Sequence, residues 1–219
     1  MSSGSNSQDS LPKPSNPQAP ATAAKPLTAQ PLAAQPAPPS APPTFPKGDF
    51  EGAVLFTLVN EGGLTDNAED SGGITNYGLT KPDISGFYGR PATDDDVRNL
   101  TLAEAKEIYK ALYWDPAFEQ IFRAGAMAIF DFGVLHGTHS AKVLAQRIAN
   151  TLGAEPQLDL DGALGPESIV AINKARANFV PTYAQGMKNI FQTIVSNNHQ
   201  DSVFLAGWDN RADRVAHLS

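Results

Sequence analysis

The sequence predicts a mainly α-helical domain over residues 47–219, with a small glycine-rich β lobe inserted after its first helix and a disordered Pro/Ala-rich tail in front. Three observations carry this prediction. Helix-period apolar residues begin at Phe50 and return from Thr101 onward. Between them, residues 62–90 hold seven glycines among turn formers. Ahead of them, residues 1–46 hold 12 of the 18 prolines.

The tail carries three charges, Asp9, Lys13 and Lys25, and a single aromatic, Phe45. Such a stretch buries too little apolar area to offset the entropy lost on ordering. The Ala-Gln-Pro repeats at 29–31 and 34–36 mark a low-complexity linker of partly polyproline II character. At Phe50 the pattern changes. Phe50, Val54 and Leu58 fall four apart, and Leu55 and Val59 broaden the apolar stripe of a first helix. Gly62-Gly63 stops it with residues suited to the left-handed region. The glycine-rich lobe that follows is expected to hold two or three short strands.

Thr101 and Glu104 spell a capping box before an amphipathic helix. Asp115-Pro116 reads as a cap followed by a first-turn proline. Apolar stretches at 121–135 and 140–152 predict two long helices, and Gly165-Pro166 opens another of about 12 residues. Two more are expected over 181–197 and 203–218.

The net charge of −7 argues against general nucleic-acid binding, which wants a basic surface. The absence of cysteine excludes disulfides and thiolate chemistry. The polar start Met-Ser-Ser-Gly-Ser-Asn-Ser is not that of a secretory signal peptide, and no window is apolar enough for a membrane span. The expectation is therefore cytoplasmic synthesis without a signal peptide.

Chemistry concentrates where the first helix ends. Glu61 lies three residues after Leu58 and seven after Val54, beside the apolar stripe and on the last turn. Apolar surroundings and the negative end of the helix dipole both favour a protonated acid there. Glycoside hydrolysis needs such an acid against the leaving oxygen, with a second group to handle water or the developing cation. Gly62-Gly63 leaves room for a sugar chain. Asp70 and Thr75 are candidates to orient a water. Asn76 and Tyr77 offer an amide for hydroxyls and a ring for a pyranose face. Trp208 and Arg211 together make either a sugar platform or, on the structural reading, an anchor for the last helix and a partner for an acid. Taken singly, a helix-end Glu and an Asp-Ser-Gly-Gly turn are ordinary surface features; their order and spacing make the functional reading the better one.

The run Glu61-Gly62-Gly63-Leu64-Thr65-Asp66-Asn67, followed by Asp70-Ser71-Gly72-Gly73-Ile74-Thr75-Asn76-Tyr77-Gly78, resembles the opening signature of glycoside hydrolase family 108, the N-acetylmuramidases of phage endolysins and related bacterial proteins. The likeness continues through Ala111 to Trp114, Phe130 to Gly133, Ala145 to Arg147, Leu158 to Ser168 and Gly207 to Arg211. Leu64 stands where the family carries an aromatic, and Ser71 where it carries proline. The resemblance implies a lysozyme-like fold, with about 47–135 as the catalytic part and about 136–219 as a peptidoglycan-binding-like helical part. It implies Glu61 as catalytic acid, with Asp70 and Thr75 supported less firmly. It implies cleavage of the β-1,4 bond between N-acetylmuramic acid and N-acetylglucosamine in peptidoglycan glycan strands, with no cofactor and no metal. Lytic transglycosylation and a non-catalytic peptidoglycan-binding module remain the alternatives. A wall enzyme without a signal peptide implies a delivery partner such as a holin or a secretion apparatus, or an immunity protein in the producer. The acidic balance gives it no long-range attraction to an anionic wall.

Other polar residues read as structure. Asp131, inside the apolar run Met127 to Leu135, needs a helix end or an Arg as partner. Gln146 and Arg147 read as a packing-network pair. Asp94 to Asp96 reads as a solvated helix entrance. Asp159-Leu160-Asp161-Gly162 starts like a calcium loop, but its twelfth position is Val170, which rules out an EF-hand. His136 and His139 lack a third ligand nearby.

Overall fold

The computed structural model describes residues 45–61 and 74–219. Among these, nine α-helices enclose one hydrophobic core, and the β structure is a two-stranded hairpin with an isolated bridge between Lys47 and Phe122. The mainly helical, lysozyme-like class with a small β lobe is what the structure shows.

Helix α1 spans Phe50–Glu61. Its buried residues are Ala53, Val54 and Thr57, while Leu55 and Val59 are 51% and 81% exposed. The expected stripe is thus displaced around the helix. Thr57 is inside because a buried carboxylate on α5 requires a donor there. The hairpin pairs β1 (Thr75–Asn76) with β2 (Leu79–Thr80) through the two-residue turn Tyr77-Gly78. Both turn residues have positive φ, +52° and +76°, the type I′ combination that matches the twist of paired strands.

Helix α2 (Lys81–Tyr88) follows at once, in a stretch expected to be irregular. Thr80 and Asp83 form its capping box, Pro82 sits in the first turn, and Gly89 closes it at φ +65°. The three-aspartate run is the first turn of α3 (Asp94–Arg98), where Thr93 and Asp96 form a second box. The box at Thr101 and Glu104 opens α4 (Leu102–Tyr113). Asp115 and Pro116 begin a short 3-10 helix rather than an α-helix.

Helix α5 (Arg123–His136) is the axis of the domain, with every residue from Ala124 to Gly133 buried. Phe130 meets Phe50 of α1, Tyr109 of α4 and Trp114, with ring centroids 6.1, 6.4 and 5.6 Å away. Phe132 meets Tyr183 and Phe191 at 6.1 and 5.9 Å. Edge-to-face packing of this kind stabilises beyond the area it buries. Gly137, at φ +93°, turns the chain into α6 (Thr138–Thr151).

Helix α7 spans Pro166–Lys174, shorter than expected. Helix α8 spans Arg176–Asn197 and starts five residues before Pro181, where the sequence suggested its beginning. The upstream turn is retained because Phe179 and Val180 are buried in the core. Helix α9 (Ser202–Ala216) packs along α8 and buries Arg211, Ala212 and Val215. Gln146 of α6 donates to Asp161 Oδ1 and the Ala163 carbonyl and accepts from the Gly162 amide, which fastens the 158–165 loop; Arg147, expected as its packing partner, is exposed.

Candidate active site

The C-terminal end of α1 presents Thr57, Asn60 and Glu61 on one face, three and four residues apart. That face meets α5 and α9. Asp131, fully buried on α5, accepts hydrogen bonds at Oδ1 from Thr57 Oγ1 at 3.0 Å and Asn60 Nδ2 at 3.2 Å. Its main partner is Arg211 of α9, which donates from Nε to Oδ2 at 2.8 Å and from Nη2 to Oδ1 at 2.8 Å. The remaining guanidinium nitrogen, Nη1, donates to Glu61 Oε1 at 2.6 Å. Arg214, one turn on, donates to Asn60 Oδ1 at 2.5 Å.

This is a closed network in which one arginine serves two carboxylates. Burial works against the Arg211 charge, but hydrogen bonds and charge from Asp131, reinforced by Glu61, hold the guanidinium above its ordinary pKa. A buried ion pair of this geometry is retained because removing either partner strands the other. The niche around Glu61 is therefore charge-compensated and not the apolar one anticipated. The Glu61 side chain is 19% exposed and reaches the surface, whereas that of Arg211 is 7% exposed and that of Asp131 is at 0%.

The hairpin packs against the other oxygen. A carbon added to Gly78 would stand 2.7 Å from Glu61 Cβ and Cγ and 2.8 Å from Oε2, so only glycine fits there. The turn is braced from behind. Tyr109 Oη donates to the Tyr77 carbonyl at 2.7 Å, and Asn76 Nδ2 donates to the carbonyls of Val97 and Leu100 at 3.0 and 3.3 Å. These bonds hold Tyr77 at its positive φ, which costs a non-glycine residue about 1–2 kcal/mol. Burial first, and the charge of Glu61 next, raise the Tyr109 pKa well above its usual value and keep its hydroxyl a donor. Tyr113 is also raised, by burial and then by Asp83, whose Oδ1 it meets at 2.9 Å; the Glu61 charge adds to the effect.

The expected site residues divide accordingly. Glu61, Thr75 and Tyr77 lie on α1 and the hairpin that packs on it. Asn76, 6% exposed, is a brace of the hairpin with its amide nitrogen engaged by carbonyls. Arg211, 6% exposed, is the partner of two acids, Glu61 and Asp131. Trp208 is half-buried, its ring between buried Phe191 and Phe204 at 5.4 and 5.7 Å, with Phe204 55% exposed. Asp70, with Gly62, Gly63, Leu64 and Ser71, lies outside the described residues.

Sequence reasoning missed the joining of Glu61 to Asp131 through Arg211. The signal available was the unmatched buried acid at Asp131, which required a cation from somewhere. It also missed Tyr109, Tyr113 and Gly78 as neighbours of Glu61. Among the described residues, no cluster of three or more His, Cys, Asp or Glu could hold a metal, and no helix is long and apolar enough to cross a membrane.

Residues 54–137 match the family described as Glycosyl hydrolase 108. No curated protein matches the chain. Among solved structures, the chain is similar to that titled "Structure of Brucella abortus SagA", with a TM-score of 0.62 and 26% identity. That likeness covers 76% of this chain and 91% of the other, so it extends past the family match into the later helices. Glu61, the glycine-tipped hairpin beside it and the central helix α5 all fall within residues 54–137, the part of the chain that is similar to the glycosyl hydrolase 108 family.

Proposed function

We propose that this protein is a peptidoglycan hydrolase that cleaves the β-1,4 bond between N-acetylmuramic acid and N-acetylglucosamine, with Glu61 as general acid. The observation that carries the reading is the setting of Glu61. Its Oε1 is held by Arg211, its Oε2 lies against Gly78, and its side chain keeps a path to solvent beside the hairpin. The similarity of residues 54–137 to the glycosyl hydrolase 108 family supports the reaction class.

In the reaction, the Glu61 proton passes to the glycosidic oxygen. The bond from the anomeric carbon to that oxygen breaks, and its electron pair stays with the leaving sugar. Water attacks the cation-like anomeric carbon, and its second proton goes to a base. Asp70 and Thr75 are the groups assigned to orient that water. Tyr77, and Trp208 with exposed Phe204, offer ring faces for pyranoses. The substrate lies in the cell wall, so the protein acts there after export or delivery. A holin, a secretion apparatus or an immunity protein is the kind of partner this requires.

Digestion of sacculi by wild type and Glu61→Gln tests the assignment. The variant should keep its thermal transition and lose at least ~10²-fold in turnover, the scale of general acid catalysis. Wild-type turnover in a folded Gln variant rejects Glu61 as the acid. Mass spectrometry of the products should find reducing muramic acid ends. Anhydro-muramyl ends would instead establish a transglycosylase, and binding to sacculi without release would establish a non-catalytic module.

A further inference from the structure

We infer that Arg211, clamped by Asp131, is a positioning residue that fixes the Glu61 carboxyl so that its transferable proton is carried on Oε2, the oxygen facing Gly78. The inference rests on Glu61 being the acid proposed above and concerns how that acid is held.

The geometry is specific. Arginine offers its donors in a rigid planar fork. Nε and Nη2 are both spent on Asp131 at 2.8 Å, which fixes the plane and position of the guanidinium. Nη2 also reaches the Asp131 backbone carbonyl at 3.3 Å, a further point of attachment. Nη1 is then aimed at Glu61 Oε1, at 2.6 Å. An arginine nitrogen donates and does not accept, so Oε1 acts as acceptor in this contact. The carbonyl oxygen of a protonated carboxyl is its stronger acceptor, so the contact from a cationic donor at Oε1 favours the tautomer with the hydrogen on Oε2. That oxygen faces the hairpin turn, where a glycine leaves space that any side chain would fill. The clamp selects one oxygen of the acid and points it.

The role is one of position and not of substrate binding. The Arg211 side chain is 7% exposed, so it presents almost no surface to a glycan strand. Its charge is matched by Asp131, so it does not act as a free cation beside the acid. Among the described residues, the charged and titratable groups around Glu61 include Arg211 on α9, Asp131 on α5 beyond it, and Tyr109 and Tyr113 on α4. Among the described residues, only Arg211 holds an oxygen of Glu61 by a hydrogen bond. Misplacement of a catalytic group by about 1 Å is enough to lose ~10²-fold in rate.

The test is steady-state kinetics of the full chain on purified sacculi, with thermal melting of each variant. Arg211→Lys keeps a cation for Asp131 but cannot fork to both carboxylates. It should fold, lose ~10²-fold in kcat and leave KM unchanged. Arg211→Gln with Asp131→Asn removes the buried charge pair together, so that no acid is stranded. It should show the same kcat loss at the same KM. A folded Lys variant or double variant with wild-type kcat overturns the inference, as does a loss that appears in KM alone. Glu61→Gln, measured alongside, separates the two claims. If it is inactive while the Arg211 variants remain fully active, Glu61 stands as the acid and the positioning role fails. If it is active, the proposed acid itself fails.

Discussion

At the scale of single residues, the site depends on a side chain that is absent. Gly78 and Gly89 both adopt positive φ, +76° and +65°, so an alanine at either carries similar backbone strain. Their surroundings differ. A carbon at Gly78 would collide with Glu61 Cβ, Cγ and Oε2, whereas nothing lies within 4 Å of one at Gly89. This matched pair separates strain from site disruption. Gly89→Ala should lower stability by roughly 1–2 kcal/mol and leave turnover unchanged. Gly78→Ala should pay the same strain and also lose most of the turnover, because Glu61 must move off its clamp. Equal activity of the two variants in sacculus digestion, after correction for the folded fraction, would show that the close approach of the hairpin has no catalytic consequence.

At the scale of elements, local capping chemistry proved a more faithful guide than apolar periodicity. The box at Thr101 and Glu104 is readable because an unbroken helical pattern follows it. The identical device at Thr80 and Asp83 went unread because Pro82, Gly86 and Gly89 look like turn signals when taken one by one. In the fold, Pro82 occupies the first turn where its missing N–H costs nothing, and Gly89 is the left-handed cap. Periodicity failed in the opposite way on α1. Leu55 and Val59 suggested a buried stripe, but the core takes Thr57 instead, because its hydroxyl is needed by a carboxylate 74 residues away. A long-range polar partner has no trace in a local pattern, so that helix face was unreadable from its own residues. The capping reading makes a quantitative claim. Thr80→Ala should cost about 1 kcal/mol, a fall in melting temperature of about 2–4 °C for a domain of this size. No shift in melting would mean that the box at α2 is geometric coincidence, since Asp83 also accepts from Tyr113 and could be held by that bond alone.

At the scale of the whole molecule, the site is assembled from the two ends of the domain. Glu61 closes the first helix and Arg211 lies on the last, 150 residues on. The family match ends at residue 137, so the matched region by itself lacks the arginine that holds its candidate acid. Residues 136–219, expected as a peptidoglycan-binding-like helical part, supply the arginine that hydrogen-bonds the candidate acid of the first part. Two truncations probe this division. Removal of residues 1–44, whose proline-rich composition offers little to bury, should leave turnover on sacculi and melting temperature as they are; a loss of turnover would place the tail within the working domain. A chain ending at Asn198 lacks α9 and leaves Asp131 buried without its cation, a stranding that costs about 3–5 kcal/mol. That is a large share of the roughly 5–15 kcal/mol by which a domain is stable. The shortened chain should therefore melt much earlier, and the fraction that remains folded should turn over at the rate of the Arg211→Lys variant or below it. Folded protein lacking α9 with wild-type kcat would mean that the first helices hold Glu61 without help from the last.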